Sequence, residues 1–247
     1  MSSTEQPDRN ATVRSKPWGM VAGGVLLFAI VAAVVWWMQS SAANAAEQAA
    51  KAALEQQGVI LVPNGAHIEV LSSMQPIDDA LFVKIGDLSY LSTCNLAGAQ
   101  VTDSQMTVVG GLSKLLNLHI DGSSKLTSAG LSPISGMGGL EKLFASRTGI
   151  DDAGLVHLKR LTNLNTIDLS YTKITDQGLQ TLTALPNLQV LRVTGTDVTD
   201  AGVESLKAMP GLSSVNIANT KITAQGAAAL RSSRPGLIVE EMEDVAR

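Results

Sequence analysis

Residues 161–184 read LTNLNTIDLSYTKITDQGLQTLTA, residues 185–208 read LPNLQVLRVTGTDVTDAGVESLKA, and residues 209–232 read MPGLSSVNIANTKITAQGAAALRS. Aligned, Leu164, Leu188 and Leu212 coincide, as do Thr172, Thr196 and Thr220, and then Gly178, Gly202 and Gly226. The step is 24 residues each time. A fixed period of this size marks a solenoid of stacked like units, and it has to be found before any other reading of the fold.

The repeat extends well beyond the obvious copies. Ile77-Asp78-Asp79-Ala80 with Phe82, Ile85, Leu88 and Leu91 matches Ile150-Asp151-Asp152-Ala153 with Leu155, Leu158, Leu161 and Leu164. Full units open at Leu91, Leu115, Leu140, Leu164, Leu188 and Leu212, and one of the steps is a residue longer than the rest. Loops absorb such an insertion cheaply. Gln105 stands where later units carry glycine, and Ala227 replaces a leucine in the last helix. Terminal units are atypical in this way because only one side has a neighbour.

Within one unit the residue types explain themselves. In Leu164-x-x-Ile167-x-Leu169 the alternation turns Ile167 and Leu169 inward and Thr166, Asp168 and Ser170 outward, the period of a strand. Thr172 falls at a bend where its hydroxyl can bond backbone groups of the stacked neighbour. Thr175 or Asp176 caps a helix by accepting from its first N–H groups. Leu179, Leu182 and Leu185 share the helix face turned back on the strand, and Gly178 is expected to let helix and strand backbones approach.

The pattern L-x-x-L-x-L-x-x-T-x-I-T-D-x-G-L-x-x-L-x-x-L resembles the leucine-rich repeat family, over roughly residues 67–239. Threonine at the ninth position resembles the T-x-I-T-D-x-G-L subtype, related to repeats of F-box substrate adaptors. The resemblance implies an α/β solenoid with a parallel concave sheet and convex helices, over 77–239. It implies a protein-binding module without enzymatic activity. An adaptor role in a ubiquitin-ligase-type complex is a further alternative, although no F-box precedes the repeats here.

What does precede them reads as a membrane anchor. Residues 1–17 are polar and aperiodic, a disordered cytoplasmic tail. Trp18–Met38 carries no charge, and its 21 residues would span about 30 Å as a helix. All three tryptophans, Trp18, Trp36 and Trp37, sit at its ends, where indoles favour the headgroups. Arg14 and Lys16 precede it and no basic residue follows before Lys51, so the amino terminus is placed in the cytoplasm and the repeats outside. Gly19 and Gly23 form a GxxxG pair suited to a homodimer in lipid. The alternative is a secreted chain cleaved after Ala45, in the small-residue site Ala43-Asn44-Ala45.

Residues 39–58, rich in alanine and glutamine, predict a helical stalk with Glu47, Lys51 and Glu55 four apart. In 59–76 an Asn64-Gly65 turn between apolar runs predicts a hairpin that caps the solenoid's open end. Pro235-Gly236 leads into a short closing strand, and 240–247 is an acidic tail. A structural spacer, self-associating through span and stalk, is therefore the second function class.

Composition limits the chemistry. A pI near 5.4 gives no basic stripe for nucleic acid. Cys94 is the sole cysteine, flanked by core leucines, and predicts a buried hydrophobe. His67, His119 and His157 lack metal-ligand spacing; no glycine-rich phosphate loop and no G-x-S-x-G elbow appears. No cofactor or metal is expected, and His119, Asp121 and Ser146 on an open sheet do not make a triad. The outward strand columns supply the candidate protein-binding residues His119, Asp121, Lys142, Phe144, Asp168, Tyr171 and Arg192. Phe144 leads, because a phenyl ring on a polar column has no core to enter. Asp168 and Arg192 are placed for a cross-strand ion pair.

Overall fold

The computed structural model describes Met38, residues 41–65 and residues 67–241. The expected span Trp18–Met38, with Gly19 and Gly23, falls outside these residues apart from Met38, as does the tail 1–17. Among the described residues no helix is long and apolar enough to cross a membrane. The chain forms two compact units, Met1–Ala45 and Ala46–Arg247.

Among the described residues nine strands form one sheet in sequence order. They are β1 Ile60–Asn64, β2 His67–Ser72, β3 Thr93–Asn95, β4 Asn117–His119, β5 Lys142–Phe144, β6 Thr166–Asp168, β7 Val190–Arg192, β8 Ser214–Asn216 and β9 Ile238–Glu240. β1 and β2 are antiparallel around Gly65, whose φ of 64° suits the tight turn. From β2 onward every neighbour is parallel and in register, so Leu118, Leu143, Ile167, Leu191 and Val215 stack in one buried row. Between strands the chain returns through short helical turns, the longest being the helix Ala224–Ser233 and the 3-10 segment Ser128–Gly136. Strands stack about 4.8 Å apart whereas helices need about 8–10 Å. The strand face is therefore the inner, concave one. This is a leucine-rich-repeat-type α/β solenoid.

Leucines fill the space between the layers. Leu164, Leu169, Leu179, Leu182 and Leu188 are all at most 1% exposed. Each buried aliphatic contributes roughly 1.5–3 kcal/mol, but only while the next unit covers it. Cys94 lies in this core, and burial pushes its thiol up to about 12.

The stalk reading of 39–58 needs correcting at its far end. Residues 46–56 are helical, but Ala50 and Leu54 are fully buried in the repeat core. Glu47, 3% exposed, accepts a hydrogen bond of 3.0 Å from the Ile68 amide. A composition without a continuous apolar stripe concealed this, since one leucine, one alanine and one carboxylate suffice to dock the helix on β2. The acidic tail is corrected at its start: Glu240 belongs to β9, and Glu241 pairs with Arg231 at 2.6 Å.

Two further expectations change. Thr148, Thr172, Thr196 and Thr220 donate to carbonyls three residues earlier in their own units, at 2.5–2.8 Å, and not to the neighbour. The unit-to-unit bond is made by the Thr-Asp pair instead. Asp176 accepts from the Thr199 amide at 2.8 Å and from its hydroxyl at 2.7 Å. Asp103–Thr127, Asp152–Thr175 and Asp200–Thr223 repeat the pattern. Threonine also caps its own helix, as Thr175 does by accepting from Gln177. The recurring glycine therefore serves a different purpose from the one expected. A Cβ on Gly202 would lie 2.5 Å from Asp176 Oδ1, so it is the neighbour's carboxylate that forbids a side chain.

The exceptions obey the same rule. Gln105 replaces the glycine, and its amide donates to Asp79 at 2.8 Å. Ser128 and Asp151 exchange partners: here the hydroxyl comes first and donates to the following carboxylate at 2.5 Å. In the last unit Ala224 stands in place of the aspartate, where no further threonine follows.

Candidate functional site

The parallel register fixes which side chains share the concave face. Asn95, His119, Phe144, Asp168, Arg192, Asn216 and Glu240 stand side by side along its centre, none of them buried. His119 and Phe144 face each other across β4 and β5 and stack, with ring centroids 4.2 Å apart and planes 9° from parallel. The result is a stacked aromatic pair on a face made mostly of polar groups.

Charged groups surround this pair. The Asp121 Oδ1 accepts from both the Ser146 amide (3.0 Å) and hydroxyl (2.9 Å), while its Oδ2 lies 4.0 Å from His119 Nδ1. Ser146 thus bonds to Asp121 and not to the imidazole, and no nucleophile–base pair exists among these three. Burial lowers the His119 pKa, Asp121 raises it in part, and Lys142 lowers it. The net effect favours the neutral imidazole.

Asp168 and Arg192 are neighbours in register, yet the expected ion pair does not form. The Asp168 carboxylate turns back to accept from the Ser170 amide at 2.9 Å. Among the described residues the ammonium of Lys142 and the guanidinium of Arg192 make neither hydrogen bond nor ion pair. Ser170 and Thr194, placed outward by alternation, are buried, their short side chains staying below the surface. Asn117, which the sequence did not single out, carries a fully enclosed Oδ1 with no partner among the described residues.

Just past the strands lies a second feature. The residue at this position has a positive φ in every full unit: Gly98 at 80°, Gly122 at 75°, Arg147 at 55°, Tyr171 at 56°, Gly195 at 67° and Asn219 at 54°. The bend keeps the inter-unit ladder going, since the Arg147 amide reaches Ser170 O and the Tyr171 amide reaches Thr194 O. Glycine or asparagine adopts it easily, whereas a larger residue there costs about 1–2 kcal/mol. Arg147 and Tyr171 nonetheless occupy two successive bends. The Arg147 guanidinium lies 4.3 Å above the Tyr171 ring, a contact worth roughly 0.5–1 kcal/mol on a surface. The opposite flank of Tyr171 rests against Gly195, where a Cβ would meet the ring at 2.5 Å.

Of the seven residues singled out by sequence, the structure thus brings His119, Asp121 and Phe144 into contact distance or register and sets Lys142, Asp168 and Arg192 around them. Tyr171 joins Arg147 at the rim. Among the described residues no cluster of His, Cys, Asp or Glu could hold a metal.

The family model described as leucine-rich repeat matches residues 160–182 and 184–207, the units that contain β6 and β7. The chain carries leucine-rich repeats. Its fold is similar to that of an internalin C2 from Listeria monocytogenes, with a TM-score of 0.55 and 18% identity over 78% of this chain and 92% of that one. A second internalin of that organism gives a TM-score of 0.47 and 16% identity over 67% of this chain and 51% of the other. A leucine-rich repeat protein from Leptospira interrogans gives 0.46 and 17% over 64% and 45%. At such identities the first likeness is one of fold. No curated protein is significantly similar to the chain in sequence.

Proposed function

We propose that this chain is a membrane-anchored recognition module whose leucine-rich repeats bind a protein partner through the concave face. The observation that carries the reading is the His119–Phe144 stack, half-buried on the concave face, with the cations of Lys142 on β5 and Arg192 on β7 making no ion pair among the described residues. Aromatic and arginine side chains are the types enriched at interface centres, because they bury much area for little lost freedom. Leucine-rich repeat proteins generally act in protein–protein recognition, which supports the same reading. The concave site so defined comprises His119, Asp121, Lys142, Phe144, Asp168, Tyr171 and Arg192. The anchor is Trp18–Met38, which the reading places with the amino terminus in the cytoplasm and the repeats outside. No chemistry is assigned to the site: its residues form no nucleophile–base pair, and its polar groups lie on an open sheet.

The test uses a photo-reactive phenylalanine analogue at position 144 of the full chain in intact membranes. A discrete protein is captured, and Arg192→Glu abolishes its capture. If the same adducts persist with Arg192→Glu, or also form from an analogue placed on the convex side at Val156, the face is not a recognition surface and the spacer reading replaces it.

A further inference from the structure

Resting on the concave-face reading, we infer that Arg147 and Tyr171 form a preset receptor for a side-chain carboxylate from an acidic surface segment of the partner protein. Three observations converge. Both residues occupy backbone bends that the neighbouring units give to glycine or asparagine, at φ of 55° and 56°. Strain of this kind persists where the surrounding structure holds it in place, and it clusters at binding and switch sites. Neither side chain serves the core: Arg147 is exposed and Tyr171 half-buried. Finally, the ring is fixed from both sides, by the guanidinium 4.3 Å above it and by the bare backbone of Gly195 beneath.

The guanidinium defines the ligand. Its central carbon lies 4.3 Å over the ring centroid, and this contact anchors the group beside Tyr171. Its N–H groups make no hydrogen bond or ion pair among the described residues. A planar fork of donors held in this way matches a carboxylate, which accepts two parallel bonds from it. Carboxylates of the concave face are already committed within the fold, since Asp121, Asp168 and Glu240 each accept an internal hydrogen bond. The cations are not, so the unmet demand is for acceptors. The exposed edge of Tyr171 then suits an apolar side chain next to the partner's Asp or Glu.

Two measurements on the full chain test this. First, Tyr171→Gly relieves the left-handed strain, so its melting temperature equals or exceeds that of the wild type; a drop of several degrees would make Tyr171 a structural residue and overturn the inference. Second, Arg147→Lys in membranes is treated with a water-soluble carbodiimide, which joins an amine directly to a touching carboxylate. Mass spectrometry is expected to find the amine introduced at position 147 linked to an Asp or Glu of the same protein that the position-144 photoprobe captures. Arg147→Gln lowers capture at position 144 about tenfold, the loss of a bidentate charge-assisted contact. Capture at position 144 without any link at 147 leaves the concave reading standing and overturns the carboxylate receptor. No capture at either position removes both. A link at 147 to a second copy of this chain, or to no protein while anionic vesicles bind, overturns it as well.

Discussion

Replacing Asp176 by alanine should break one joint of the solenoid while leaving its leucine core intact. The carboxylate accepts two hydrogen bonds from Thr199, at 2.8 and 2.7 Å. Hydrogen bonds to a charged group contribute about 1.5–3 kcal/mol each. Both residues are half-exposed, which favours the lower end, so the expected cost is about 3 kcal/mol. Gly202→Ala attacks the same joint from the other side. Its Cβ would approach Asp176 Oδ1 at 2.5 Å, Val198 Cγ1 at 2.9 Å and Leu179 Cδ1 at 3.0 Å. Overpacking costs about 1–3 kcal/mol, and the gain in helix propensity returns up to about 1 kcal/mol. In the double variant the carboxylate is gone and only flexible methyl groups remain in the way. Its cost should therefore fall short of the sum of the single costs by at least about 1 kcal/mol, since residues in contact couple. Urea unfolding followed by far-ultraviolet circular dichroism measures all four corners of the cycle. Additivity within about 0.5 kcal/mol, or an Asp176→Ala cost below about 1 kcal/mol, would refute the claim that the glycine exists to admit its neighbour's carboxylate.

Other outcomes follow from the same geometry. Ser128→Asp sets two carboxylates facing each other at the exchanged joint and destabilises by about 1 kcal/mol; adding Asp151→Thr should restore the standard pairing and recover the loss in the same unfolding assay. His119 has its folded pKa lowered, chiefly by burial, so an NMR titration should show a midpoint below the usual value of about 6.5, with Lys142→Met moving it upward. The sign follows: this neutral ring contributes stability that is present above the unfolded pKa and is lost as pH falls through the folded one. Cys94, with its thiol pushed up to about 12, should resist iodoacetamide in the native protein and react only as fast as the chain unfolds.

Much of the architecture was legible from the 24-residue period, because a unit that cannot bury its own leucines has to stack. The alternation within Leu164-x-x-Ile167-x-Leu169 was enough to assign the outward columns, since parallel strands in register put equal positions side by side. Even the Thr-Asp ladder left its mark, in the exchange of Ser128 with Asp151 and in Ala224 where the ladder ends. Reading it required knowing which positions of successive units touch, which only the stacked structure shows. The docking of Glu47 and Leu54 escaped because a helix held by three side chains has no periodic signature.

By itself, then, the sequence determined the repeat, its inward face and which strand positions turn away from the core, all of which depend on spacing along one chain. Only the tertiary structure decided how those side chains use one another. Asp168 accepts from the Ser170 amide and leaves Arg192 without an ion pair among the described residues, and His119 lies flat on Phe144. Arg147 and Tyr171 occupy two successive left-handed bends that no residue type announces. The physical reason is that hydrogen-bond choice, ring stacking and backbone sign are settled between units, by distances of a few ångströms that periodicity does not encode.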